Sequence, residues 1–353
     1  MNRFFDSLIQ ARRGLVFALA VAAIVALTMP DGRASTIRTR FAPPIPRVRS
    51  SPFAAARVGV AVPARVPEAF PSPGTLLVEQ SFADDKTPPN AFPYVDQTCL
   101  TAGTKAIKTS VPPCGSLAPR DPNGSGVLEN VNLDHNTASW VSYAKPFSTA
   151  LGIQVSFTIY SWGGNGADGQ LLFFTDASKG PPENVGQSGG EMGYTGGGSG
   201  GPAGLDYAYL GIAFDEYGVF SLDSPASGLN GGPGQIPETI AVRGSAGTGY
   251  YYLGGALNAN GQPASLPFDW NAVGAEKRPA TGPTVFVTLT PTGYLSCAVD
   301  LHDGNGFITY YAQSIVGVHG EPAVPASVYI GVTGSNGSAD DRHQIGDLYI
   351  WSM

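Results

Sequence analysis

The sequence predicts an all-β fold, on three observations. The chain has 353 residues, 47 of them Gly and 30 Pro, a density that cuts it into short segments and leaves little room for long helices. No window of twelve or more residues holds a helical apolar period. Short apolar and β-branched runs instead recur between turn signals such as Asn260-Gly261 and Asn305-Gly306, the pattern of a sandwich or barrel.

In chain order, Arg12 and Arg13 precede the apolar run from Leu15 to Leu27, Pro30 breaks it, and Gly32-Arg33-Ala34 offers small residues at both cleavage-determining positions. Residues 1–34 therefore read as a signal peptide. The apolar run is too short for a comfortable membrane span, so a cleaved signal is expected rather than a retained anchor, with no stable span left after cleavage. Residues 35–75 are rich in Pro, Ala and Arg and read as an extended linker. The texture changes at residue 76. Strand-like runs follow at 76–82, 152–160, 171–175, 209–214, 239–242, 285–290, 295–301, 307–312, 327–333 and 344–351, so residues 76–353 form one β-sandwich domain. The stretches 176–206 and 224–237 hold no strand pattern; long irregular loops in a compact domain tend to carry function or to be disordered.

Charge divides along the same boundary. Residues 1–75 carry a net +7 and residues 76–353 a net −14. An acidic globular part repels phosphate backbones, which argues against nucleic acid as a partner. Export permits a disulfide. Cys99 and Cys114, flanked by Gly and Pro, are placed to close a small loop, and Cys297 lies in a strand-like run as a packing residue.

One segment stands out. Gly163-Gly164-Asn165-Gly166-Ala167-Asp168-Gly169 carries a single carboxylate on a glycine-laden turn, followed at once by the apolar run Leu171-Leu172-Phe173-Phe174. By itself this is an ordinary Gly-Asp turn before a strand. Yet a carboxylate at a loop tip is also suited to accept hydrogen bonds from a hydroxyl-rich ligand. The Ala-Asp-Gly signature resembles that of the L-type (legume-type) lectins, concanavalin A-like jelly-roll sandwiches in which this aspartate grips the sugar. Further matches occur in family order over about residues 76–353. Gly189-Gly190-Glu191-Met192-Gly193 resembles a sugar-binding Gly-Gly loop, and Tyr209 to Asp215 the metal-bearing strand. Ile240 to Gly244 and Asp215 to Gly218 look like motifs of exported bacterial members. Thr333-Gly334-Ser335 to His343-Gln344-Ile345 resembles the closing strand.

The resemblance implies a site and a cofactor. Asp168 would accept from sugar hydroxyls, Gly189 and Gly190 would present a backbone amide, and Ser335 with Asn336 would complete the rim. A calcium ion would lie on Asp215, the Tyr217 carbonyl and Asp223. The family also implies a cis peptide between Ala167 and Asp168. Two departures bear on the metal: Ala213 and Val219 stand where the family has a glutamate and an asparagine, and a hard divalent cation wants six or more oxygen ligands. Trp162, Tyr194, Tyr217 and Tyr250 lie near these loops as candidate stacking rings.

Catalytic patterns are poorly represented. Gly197-Gly198-Ser199-Gly200-Gly201 matches a nucleophile-elbow string but lies in a glycine loop without the strand and helix that an elbow needs. Asp215 and Glu216 are adjacent, so strand alternation points them apart. The expectation is an exported glycan-binding protein, secreted, periplasmic or on the cell surface, and not an enzyme. The alternative is a structural or adhesive surface domain that has lost sugar and metal binding; a glycoside hydrolase on the same fold comes last.

Overall fold

The computed structural model describes residues 74–104, 109–196 and 203–353. The expected signal peptide and nearly all of the linker lie outside these residues. So does the nucleophile-elbow string.

Among the described residues there are seventeen strands and only single-turn 3-10 helices. The strands are β1 (Thr75–Gln80), β2 (Tyr94–Val95), β3 (Cys99–Leu100), β4 (Leu128–Val131), β5 (Thr137–Ser142), β6 (Phe147–Ser148), β7 (Ile153–Trp162), β8 (Gly169–Asp176) and β9 (Ala208–Asp215). They continue as β10 (Thr239–Arg243), β11 (Tyr252–Gly255), β12 (Asn271–Ala272), β13 (Thr284–Leu289), β14 (Tyr294–Asp300), β15 (Ile308–Ser314), β16 (Ser327–Asn336) and β17 (Arg342–Ser352). Each strand-like run of the sequence falls on one of these. The strands not anticipated are mostly very short, or, like β4 and β5, rich in Asn, Ser and Glu, which disguises their alternation.

The strands form two large sheets packed face to face as a jelly-roll sandwich. One sheet runs β15-β14-β13-β7-β17-β4-β3, with β1 also on β17 and β12 on β7. The other runs β11-β10-β9-β8-β16-β5-β2, with β6 on β16. Pairing is antiparallel except between β12 and β7. Ile153, Val155, Phe157 and Ile159 alternate inward along β7 and meet Leu210, Ile212 and Phe214 of β9 in the central core. The Phe157 and Phe214 rings join the two layers edge to face at 5.7 Å.

The eight-stranded sheet is buried on both faces. Leu172 and Phe174 face the central core. Leu171 and Phe173 face a second core with Met192, Tyr194, Phe220 and Trp140. That is why this strand reads as an unbroken apolar run instead of alternating. The strandless stretches supply much of the second core, so they are packed layers. Arg243 pins one of them and the turn before it: it is fully buried and donates from Nη1 to the Asn230 carbonyl at 2.9 Å, from Nε to the Phe220 carbonyl at 2.8 Å and from Nη2 to the Leu222 carbonyl at 2.6 Å. Cys99 and Cys114 form the expected disulfide, and Cys297 is a buried free thiol. Among the described residues no helix is long and apolar enough to cross a membrane.

Candidate functional site

Asp168 sits on the turn between β7 and β8, and its backbone is held on every side. Its N–H donates to the Ser335 carbonyl at 3.0 Å, and its own carbonyl accepts from the Glu216 N–H at 3.0 Å and the Tyr217 N–H at 3.4 Å. The Ala167 carbonyl lies 3.1 Å from His343 Nε2. The Ala167–Asp168 peptide is cis, as the resemblance implies. The preceding loop is tied to the turn after β16: Asn165 N–H donates to the Asp340 carbonyl at 2.8 Å, and Gly164 N–H donates to Asp341 Oδ1 at 2.6 Å.

His343 is fully buried, and burial pushes its pKa down to about 4. It is neutral at physiological pH. Because the Ala167 carbonyl can only accept, Nε2 carries the proton, and Nδ1 faces the Ser161 hydroxyl at 3.1 Å. Glu216 Oε1 lies 3.4 Å from the same Nδ1. Burial is the largest influence on Glu216 and Asp341 and raises both carboxyls. Asn271 Nδ2 donates to Glu216 Oε2 at 3.3 Å and to Glu238 Oε1 at 3.1 Å. A neutral histidine and two carboxyls raised by burial thus brace the Asp168 turn from within the sandwich.

The Asp168 side chain points between two glycines. A methyl group on Gly337 would stand 2.8 Å from its Oδ2, and one on Gly189 would stand 3.9 Å away. Oδ2 is buried without a well-formed hydrogen bond. Burial pushes the carboxyl up to about 7; the nearby Gly337 amide lowers it, and the Glu191 carboxylate raises it again. Glu191 reaches to 3.7 Å from the same notional methyl on Gly189, so the two carboxyls share one neighbourhood. Neither Glu191 nor Gly337 stood out in the sequence. Glu191 lies inside the Gly-Gly motif, which offered a signal; Gly337 is one glycine among 47.

The other expected site residues divide. Gly189 comes beside Asp168, and its carbonyl accepts from Ser335 Oγ at 2.9 Å. Gly190 packs under Val219, whose Cγ1 would lie 2.0 Å from any Cβ there, a contact only glycine permits. Ser335 and Asn336 do not form an open rim; both are fully buried. Asn336 Nδ2 donates to the carbonyls of Asn132, Asp134 and Asp341, which locks the turn into the fold. Of the four aromatic candidates, Trp162, Tyr194 and Tyr250 are buried, whereas Tyr217 is 47 % exposed and adjoins Asp168 through its backbone.

The residues expected to hold calcium do not fit a cation. Asp215 is fully buried, and its Oδ1 and Oδ2 accept the N–H groups of Gly218 at 2.7 Å and Phe220 at 2.9 Å. The Tyr217 carbonyl accepts from Gln235 Nε2 at 2.9 Å. Asp223 Oδ1 accepts from the Gly231 N–H at 2.9 Å in a separate turn. These oxygens already face protein hydrogens, and the described residues contain no group of three or more His, Cys, Asp or Glu side chains suited to a metal. Asp215 closes the turn after β9.

No protein-family model matches the chain, and no curated protein matches it. Solved structures do. The exoplasmic/lumenal domain of VIP36 in a calcium-bound form is similar over 79 % of this chain and 92 % of its own, with 14 % identity and a TM-score of 0.48. The lectin I-B4 of Griffonia simplicifolia, metal-free, is similar over 78 % and 98 %, with 14 % identity and a TM-score of 0.46. The winged bean acidic lectin complexed with methyl-α-D-galactose is similar over 77 % and 97 %, with 15 % identity and a TM-score of 0.45. All three have the L-type lectin, concanavalin A-like fold.

Proposed function

We propose that this chain is an exported carbohydrate-binding protein whose sugar contact is Asp168. One observation carries the reading: a carboxylate oxygen without a well-formed hydrogen bond is held on a fully braced turn between Gly189 and Gly337. An ionised carboxylate only accepts hydrogen bonds, so its complement is a donor, and a sugar supplies adjacent hydroxyl donors. Tyr217, half-exposed and bonded through its N–H to the Asp168 carbonyl, offers a ring of the kind that stacks on the C–H face of a sugar. The site needs no cation in this reading, because protein groups already hold the turn that would otherwise require one.

The proposed organisation is a signal peptide over 1–34, a linker over 35–75 and the sandwich over 76–353, with a secreted, periplasmic or cell-surface location. The Cys99–Cys114 bridge supports an oxidising compartment. We assign no catalytic role.

Glycan-array binding followed by calorimetry tests the reading. At least one glycan should bind the parent, and Asp168→Ala should lose it. A variant that binds every glycan as well as the parent would sink the site. The second reading, a structural or adhesive domain, draws on Ser335 and Asn336, whose polar groups serve the fold. It predicts no binding heat with any simple sugar.

A further inference from the structure

A second cleft, of about 630 Å³, opens on the outer face of the nine-stranded sheet, within the size range of small-molecule sites. Its floor is Tyr160 and Trp162 of β7 with Gln344 and Gly346 of β17. Segments 119–127 and 276–280 contribute its walls. None of the residues around Asp168 lines it. A recess of about 360 Å³ shares Tyr160, Ala280 and Asp347 with it and continues past Thr158 and Ser156 to Tyr349. Six residue steps separate Ser156 from Trp162, so at about 3.3 Å per residue the floor runs about 20 Å.

The cleft is preorganised. Arg278 ties the walls together, pairing with Asp121 at 2.7 Å and donating to the Ser125 carbonyl at 2.8 Å, with its guanidinium 5.5 Å from the Tyr160 ring centre. Trp162 Nε1 donates to Gln344 Oε1 at 2.9 Å, and Gln344 Nε2 donates to Glu129 Oε2 at 2.6 Å. The floor groups are therefore fixed before any ligand arrives, which reduces the ordering cost of binding. A side chain at Gly346 would begin 3.7 Å from the Tyr160 ring and 3.7 Å from Val127, so the glycine leaves open the space beside the ring.

We infer that this cleft binds a neutral, linear oligosaccharide, independently of Asp168. The elongated floor suits a chain more than a single sugar. The half-buried Tyr160 ring, with the lining carboxyls of Asp121, Glu276 and Asp347, suits the C–H faces and hydroxyls of such a chain. Asp121, Glu276 and Asp347 outnumber Arg278 and Lys277 among the lining charges, which disfavours an anionic chain.

The test uses the full chain and calorimetry with cellohexaose, mannohexaose, xylohexaose and laminarihexaose, with polygalacturonate as the anionic comparison. One neutral hexaose should bind. Gly346→Leu, whose added atoms begin at ordinary contact distance, should fill the cleft and weaken that binding at least about tenfold with an unchanged unfolding temperature. Tyr160→Ala should weaken it similarly, and Asp168→Ala should leave it intact. The inference is overturned if no neutral hexaose binds, if polygalacturonate binds in preference, if binding survives both Tyr160→Ala and Gly346→Leu, or if Asp168→Ala abolishes it. Loss of monosaccharide binding in Asp168→Ala bears on the first site alone.

Discussion

Gly337→Ala probes the slot around Asp168 most directly. The added methyl would stand 2.8 Å from Asp168 Oδ2 and 3.3 Å from the Gly189 Cα, closer than folded proteins allow to the first and tight to the second. Gly337 has no left-handed backbone angle, so the penalty is steric. Asp168 has little freedom to yield, since its N–H and carbonyl are both engaged and its side chain is short. Overpacking of this kind costs about 1–3 kcal/mol. The assay is urea unfolding of four proteins: parent, Gly337→Ala, Asp168→Ala and the double variant. In the Asp168→Ala background the colliding oxygen is gone, so the Gly337→Ala cost should shrink, with a coupling of about 1 kcal/mol or more. Sugar binding should already be lost in Gly337→Ala alone. A Gly337→Ala protein as stable as the parent, or an equal cost in both backgrounds, would refute the slot geometry.

Two further outcomes follow from the same site. Burial raises the Asp168 carboxyl to about 7, and the ionised form is the acceptor, so affinity should fall as pH drops below about 7 and approach a tenfold loss per pH unit; a flat profile between about pH 5 and pH 8 in calorimetric titrations contradicts this role. Because both Asp215 oxygens already accept backbone N–H groups, calcium and EDTA should each leave the unfolding temperature and the sugar affinity unchanged. A cation bound at a hundred times its dissociation constant would add about 2.7 kcal/mol, a shift that a thermal melt would register and that would overturn the fit argument.

Much of the strand framework was legible in the residues, because it rests on local alternation. Along β7, Ile153, Val155, Phe157 and Ile159 announce one face. The short strands β2, β3, β6 and β12 were not, since two residues cannot display a period. Ser335 and Asn336 show the limit for the site: an exposed rim and a buried lock have the same letters, and only the donors and acceptors around them distinguish the two. Nothing in the sequence marks Glu216 and Asp341 as a pair, because each becomes unusual only beside the other and His343.

By itself the sequence determined an all-β chain with a carboxylate on a glycine turn before a buried strand, since composition, turn chemistry and period two act between neighbours along the chain. Tertiary structure decided the rest. It put a second core over β8, turned Asp215 from an expected ligand into a turn closure, and set His343 beneath Ala167. Those outcomes depend on contacts between residues far apart in sequence, such as the 176 positions separating His343 from Ala167. Local patterning does not specify which distant donor will meet a given acceptor.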